Sequence, residues 1–124
     1  MRWTDRPKEK DVLAYLVEYL EAFRILYTRN VHVRLVAKKE IQAGAELVRY
    51  RPVKLRDSQK GKPDLSIYLP NALTVFVETK GKKGKLSEDQ LRWKKRAEKL
   101  GFTYFSPFNF RDANRLIDYV NARL

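Results

Sequence analysis

At 124 residues, 44% of them hydrophobic, the chain can bury a core without disulfide or metal staples, and one domain spanning residues 1–124 is expected. It contains no cysteine, which excludes a disulfide framework and a zinc site built on thiolates. Its formal net charge of +12 suits a polyanionic partner, with nucleic acid ahead of an anionic membrane surface.

The opening MRWTDRPKEKD has no apolar signal region and no apolar run approaches a membrane span, so a soluble cytoplasmic protein is expected. A helix is predicted from about Pro7 to about Arg29. Thr4 or Asp5 can cap it, and proline suits its first turn. Leu13, Leu16, Val17, Leu20, Phe23 and Tyr27 recur at helical spacing and make its buried face. Glu9 stands four residues before Leu13 on that face. It is either a first-turn acid favoured by the helix dipole or a carboxylate entering a site. Val31 to Val36 reads as a strand. His32, the only histidine, lies on its polar face and is assigned no role. Lys38 to Gly44 reads as a turn, Leu47 to Val53 as a second or continuing strand, and Asp57 to Lys62 as a polar connection.

The stretch GKPDLSIYLPNALTVFVETK, from Gly61 to Lys80, reads as two strands, Leu65 to Leu69 and Leu73 to Val77, joined by Pro70, Asn71 and Ala72. With that turn Leu69 faces Leu73, and counting outwards sets Asp64 opposite Glu78. Opposed residues in an antiparallel pair have Cβ atoms roughly 4.5–5.5 Å apart. Two carboxylates so placed repel unless a cation lies between them or one takes a proton. Lys80 points to the same face as Glu78. Two acids and an ammonium on one patch are what a metal-dependent phosphodiester hydrolase needs. The plainer reading is that strand ends carry charge because they reach water, and a register change of one residue would part the acids.

Gly81-Lys82-Lys83-Gly84-Lys85 follows, either a solvated linker or a loop whose lysines meet phosphates. A helix is predicted from about Ser87 to Leu100, with Ser87 as N-cap and Gln90 completing a capping box. Leu86, Gln90, Trp93, Ala97 and Leu100 form its inward stripe, so Gln90 is also a polar group that must find a partner, the carboxylate patch being nearest. Arg92, Lys95, Arg96 and Lys99 lie on its outer face, a solvated surface or a ridge for a nucleic-acid backbone. Gly101 ends the helix. Phe102 to Phe105 reads as a strand, and Asn109 caps a last helix with Asp112 at its third position and Ala113, Leu116, Ile117 and Val120 as its stripe.

Pro63-Asp64 followed by Glu78-Thr79-Lys80 resembles the PD-(D/E)xK nuclease superfamily. Gly61-Lys62-Pro63-Asp64-Leu65, Val77-Glu78-Thr79-Lys80-Gly81 and Leu86-Ser87-Glu88-Asp89-Gln90, in that order, resemble the VRR-NUC family within it, in its compact stand-alone form. The resemblance implies an α/β fold with a restriction-endonuclease-like αβββαβ core, its mixed central sheet flanked by helices. It implies that Asp64, Glu78 and the backbone carbonyl of Thr79 hold Mg²⁺, or Mn²⁺ in its place, with Glu9 at the position of a glutamate that begins the family's first helix. Gln90 matches a glutamine of the family and would position water, carboxylate or phosphate. Lys80 beside two carboxylates is favoured as an ammonium, which suits an electrostatic role better than that of a base.

The implied activity is structure-selective cleavage of DNA, with a four-way (Holliday) junction as substrate and a homodimer making paired cuts, in a microbial or phage-infected cell. Cleavage of flaps or duplex is the nearest alternative. A non-catalytic nucleic-acid-binding protein is the alternative from another class. Such a binder would gain nothing from carboxylates beside a phosphate track.

Overall fold

The computed structural model of the chain describes residues 8–30, 34–53, 60–80 and 85–124, with the backbone alone described at 34–36 and 52–53. Helix α1 (Glu9–Ala22) starts at Lys8, whose N–H donates to Asp11 Oδ2 at 3.3 Å. Thr4, Asp5 and Pro7 lie outside the described residues, as do His32 and the first part of the predicted strand at 31–33. Val12, Leu16 and Leu20 are the buried stripe of α1, flanked by Leu13 and Val17.

The helix ends well before Arg29. Arg24 takes a φ of 53° and Ile25 N–H reaches back to Leu20 O at 2.9 Å, which closes the last turn and redirects the chain. Phe23 is therefore exposed, and Tyr27 belongs to strand β1 (Tyr27–Arg29). Tyr27 packs on the same core from a strand, so its spacing imitated a helical one.

Strands β2 (Arg34–Gln42) and β3 (Ala45–Val53) pair antiparallel as a separate two-stranded ribbon. The turn expected over Lys38 to Gly44 is only Ala43 and Gly44, because Gln42 pairs with Ala45. Both turn residues have positive φ, 50° and 77°, as a two-residue hairpin of the primed type requires. Lys38, Lys39 and Glu40, expected in that turn, lie instead on β2, a strand of a ribbon exposed to solvent.

The main sheet is formed by β1, β4 (Leu65–Leu69), β5 (Leu73–Val77) and β6 (Thr103–Phe105) in the order β1-β4-β5-β6. Its first two pairings are antiparallel and β5 with β6 is parallel, so the sheet is mixed. Helix α2 (Glu88–Lys99) precedes β6, and α3 (Phe110–Asn121) follows it. Omitting the ribbon, the chain runs in the expected αβββαβ order and ends in α3. The first core strand, however, is β1 and not the strand expected at Val31 to Val36, whose described part belongs to the ribbon.

Leu65, Ile67, Leu69, Val75 and Val77 point to one sheet face and pack with Val12, Leu16, Leu20, Ala113, Leu116 and Val120 of α1 and α3. Full burial of each large aliphatic side chain stabilises by roughly 1.5–3 kcal/mol. The other face meets α2, where the Phe76 ring lies edge-on to Trp93 at 4.8 Å and to Phe102 at 5.1 Å. Leu100 is the C-cap of α2 and is exposed, so it falls outside the inward stripe predicted for it. Asn109 Oδ1 accepts from Asp112 N–H at 2.8 Å, the expected cap of α3. Among the described residues no helix is long and apolar enough to cross a membrane.

Candidate active site

The loop between β4 and β5 sets the register of the site. Asn71 and Ala72 both adopt positive φ, Leu69 pairs with Leu73, and the ladder closes with Leu65 against Val77. One residue further, Asp64 comes opposite Glu78. On the far side Val77 pairs with Phe105, and Glu78 N–H donates to Phe105 O at 3.0 Å. The same step sets Ser106 beside Glu78. Asp64, Glu78 and Ser106 therefore each stand one residue beyond the ends of β4, β5 and β6, and alternation places them on the sheet face that also carries Phe76 and Tyr104. Lys80 N–H donates to Pro107 O at 2.9 Å and carries the parallel pairing past the end of β5.

Within this frame each site side chain is tethered. Asp64 Oδ2 accepts from Thr79 N–H at 2.9 Å and from Thr79 Oγ1 at 2.8 Å. Glu78 is almost fully buried, with a side chain 5% exposed. Its Oε1 accepts from Gln90 Nε2 and lies 3.6 Å from Lys80 Nζ. Its Oε2 is buried and has no hydrogen-bond partner among the described residues. Lys80 Nζ donates to Gln90 Oε1 at 2.7 Å, so one amide grips both the carboxylate and the ammonium. Gln90 is held in turn by α2. Its Oε1 accepts from Ser87 N–H at 2.8 Å, and its N–H donates to Ser87 Oγ at 3.2 Å. The capping box and the link to the carboxylate patch coexist in one residue.

Glu9 approaches from the start of α1. Its Oε1 is 3.9 Å from Lys80 Nζ, and with a side chain 55% exposed it stands at the rim of the cluster rather than within it. Among the described residues no group of three or more His, Cys, Asp or Glu side chains comes together to hold a metal. Among the described residues the inner acids are two, Asp64 and Glu78.

Burial, then the neighbouring Asp64 charge, push the Glu78 carboxyl up to about 7, while Lys80 acts in the opposite direction. The buried Tyr104 hydroxyl is likewise pushed up by burial first and by the charges of Glu78 and Asp64 next. Tyr104 OH and Ser106 Oγ join Glu78 Oε2 as buried polar atoms without partners among the described residues. All three belong to the face that carries the acids. Buried polar groups normally have partners, so this cluster reads as a site built to be completed by something bound. A partnerless carboxylate oxygen and a second acid nearby are a hard-oxygen donor set, which fits a cation such as Mg²⁺ or Mn²⁺.

The backbone entering the site is fixed from two sides. A Cβ on Gly61 would clash with Asp89 O, so the chain before Pro63 and Asp64 rests directly on the first turn of α2, next to Gln90. Asn30 Nδ2 donates to Pro63 O, and Asn30 N–H to Asp64 O, both at 2.8 Å. Sequence reasoning overlooked Asn30, Tyr104, Ser106 and the Thr79 hydroxyl. Only Thr79 carried a signal, as a hydroxyl between Glu78 and Lys80.

Of the basic residues expected to meet phosphates, Lys85, Arg92, Lys95, Arg96 and Lys99 are exposed, and Arg92 is paired with Asp89. Lys82 and Lys83 lie outside the described residues. Trp93, Phe76, Phe102, Ala97, Leu100 and Arg96 line an apolar groove of about 290 Å³ that contains none of the acids.

The chain is similar over 90% of its length to a solved structure described as a VRR_NUC domain, 97% of which is covered, with a TM-score of 0.61 and 24% identity. That likeness shows the fold, an α/β mixed sheet flanked by helices of the restriction-endonuclease-like kind. No curated protein matches the chain. The family model of the VRR-NUC domain matches residues 4–105, which take in α1, the whole main sheet, α2 and every acid of the site. The chain therefore belongs to the VRR-NUC family of nucleases.

Proposed function

We propose that the chain is a metal-dependent endonuclease that hydrolyses phosphodiester bonds in branched DNA, the four-way junction above all, and acts as a homodimer making paired cuts. The observation that carries the chemistry is Glu78. A carboxylate is buried beside Asp64 and Lys80 with one oxygen unpartnered among the described residues, an arrangement that costs stability. A pure nucleic-acid-binding protein would have no use for it. The branched substrate and the dimer rest on family analogy.

Asp64, Glu78 and the Thr79 backbone carbonyl would hold one or two Mg²⁺ ions, with Mn²⁺ as substitute and Glu9 as a contributor from α1. When bound, the cation activates water and neutralises charge that grows on phosphorus. The remaining work falls to the chain. Thr79 fixes the Asp64 carboxylate through two hydrogen bonds, and Gln90 fixes Glu78 and Lys80 relative to each other. The Lys80 ammonium, with a side chain only 10% exposed, faces the developing negative charge with little water to screen it. Lys82, Lys83, Lys85, Arg92, Lys95, Arg96 and Lys99 contact backbone phosphates and set orientation without reading sequence.

A panel of labelled four-way junction, flap, duplex and single-stranded DNA in Mg²⁺ tests this reading. Paired symmetric nicks in the junction are expected. Preferential cutting of flaps or duplex would discard the junction assignment, and binding without cutting of any of them would discard the enzyme.

A further inference from the structure

The β2–β3 ribbon is a feature that the hydrolytic site leaves unused. Among the described residues none of it enters the hydrophobic core. An isolated two-stranded hairpin is marginally stable in water, so a ribbon that also exposes apolar side chains is a candidate for binding. Strand alternation gives it two unlike faces. Ala37, Ile41, Val48 and Tyr50 share one, with Ile41 81%, Tyr50 67% and Val48 48% exposed. Lys39 and Glu46 pair on that face at 3.4 Å, leaving it neutral. Lys38, Arg49 and Arg51 share the other, with Glu40 between the first two at 3.9 and 3.3 Å.

The ribbon is rooted at the site. It is inserted between β1 and β4, so the chain leaves the sheet after Arg29 and returns just before Asp64. Asn30 ties the two roots together through Pro63 O and Asp64 O. Nine residues per strand give a span of about 30 Å. A polymer lying over Asp64 and Glu78 is within reach of such an arm.

We propose that the ribbon is a branch-point wedge. Its apolar face, led by Ile41 and Tyr50, stacks against base pairs exposed where a DNA duplex is interrupted, and its basic face holds the phosphates of the diverging strand. This rests on the nuclease reading and adds to it the device that selects branched over continuous duplex. A closed duplex offers grooves and phosphates but no free base face, whereas apolar wedges and aromatic platforms need unstacked bases. The charge favours DNA over a second copy of the chain. Among its described side chains, four exposed cations against two carboxylates would repel their like in a ribbon-to-ribbon contact and attract a polyanion.

The test is fluorescence anisotropy of a labelled four-way junction and a linear duplex of the same arm sequence, in EDTA so that neither is cut. Wild type is compared with Ile41→Ser/Tyr50→Ser and with Lys38→Gln/Arg49→Gln/Arg51→Gln, all five positions being exposed and away from the hydrolytic machinery. The apolar-face variant is expected to lose about tenfold or more in affinity for the junction and less than about twofold for the duplex. The basic-face variant is expected to weaken on both, with the salt dependence of log affinity falling by about 2 to 3 for three lost phosphate contacts. Thermal unfolding and sedimentation are run on every variant. Equal losses on both DNAs from the apolar-face variant, or none, would overturn the wedge while cleavage by wild type stands. A change of oligomeric state with unchanged junction affinity would make the face an interface between copies and also overturn it. Failure of wild type to bind or cut any DNA would bring down the nuclease reading itself.

Discussion

Glu78→Gln is expected to stabilise the metal-free protein at pH 8 and to do little at pH 5. Burial and the Asp64 charge raise the Glu78 carboxyl from an ordinary 4.5 to about 7, so between those values the folded chain binds a proton that the unfolded chain has released. The stability due to the neutral carboxyl is complete below about pH 4.5 and is lost as pH rises through about 7. Each pH unit in that window is worth about 1.4 kcal/mol, which places the cost of an ionised Glu78 at about 3 kcal/mol by pH 8. Glutamine imitates the neutral acid in shape, and its oxygen can still accept from Gln90 Nε2. The variant should therefore exceed wild type by about 3 kcal/mol at pH 8 and by less than about 1 kcal/mol at pH 5. Urea unfolding in EDTA at both pH values measures this. A gap that fails to grow with pH, or a variant less stable than wild type at pH 8, would refute the electrostatic account of the site. Saturating Mg²⁺ should reverse the order. At a thousand times its Kd a bound ion adds about 4.1 kcal/mol to wild type and little to the variant, more than the gap of about 3 kcal/mol.

Three further outcomes follow from the same geometry. Ser87→Ala removes the N-cap of α2 and should cost about 1 kcal/mol of stability with cleavage largely kept, whereas Gln90→Ala should lose on the order of a hundredfold or more in single-turnover rate at a similar stability cost, because it also frees Glu78 and Lys80. Equal effects of the two on rate would reduce Gln90 to a cap. Thr79→Val keeps volume but deletes the hydroxyl that bonds Asp64 Oδ2, and should slow cleavage about tenfold with KM for DNA unchanged. Gly61→Ala places a Cβ against Asp89 O at a φ of 81°, so denaturant midpoints should show a loss of at least about 1 kcal/mol and cleavage should fall with it as the first turn of α2 is displaced. An unaffected Gly61→Ala protein would show that this contact does not hold Gln90 in place.

Much of the site's geometry was legible because a hairpin converts sequence spacing into spatial register. Once Pro70-Asn71-Ala72 is read as the turn, alternation alone puts Asp64 across from Glu78 and Lys80 on the Glu78 face. The cap of α2 was equally local, since Ser87 and Gln90 declare it within one turn. What stayed hidden depends on contacts distant in the chain. Ser106 reaches the acids only through the parallel pairing of β5 with β6, and no local pattern announces which strands will lie side by side. Asn30 acts through backbone carbonyls on the neighbouring strand. The true end of α1 was obscured because Phe23 and Tyr27 continue an apolar rhythm past the turn at Arg24. The ribbon was divided wrongly since strands exposed on both faces lack the alternation that marks a half-buried strand.

The central claim is that Asp64 and Glu78 hold the ion that hydrolyses DNA. Single-turnover cleavage of an end-labelled four-way junction by wild type, Asp64→Asn and Glu78→Gln, in Mg²⁺ and in EDTA, tests it most directly. The account predicts cleavage by wild type in Mg²⁺ alone, with both variants slowed at least about a thousandfold though folded and still able to bind the junction. Cleavage that survives EDTA, or that either variant retains near the wild-type rate, would contradict it.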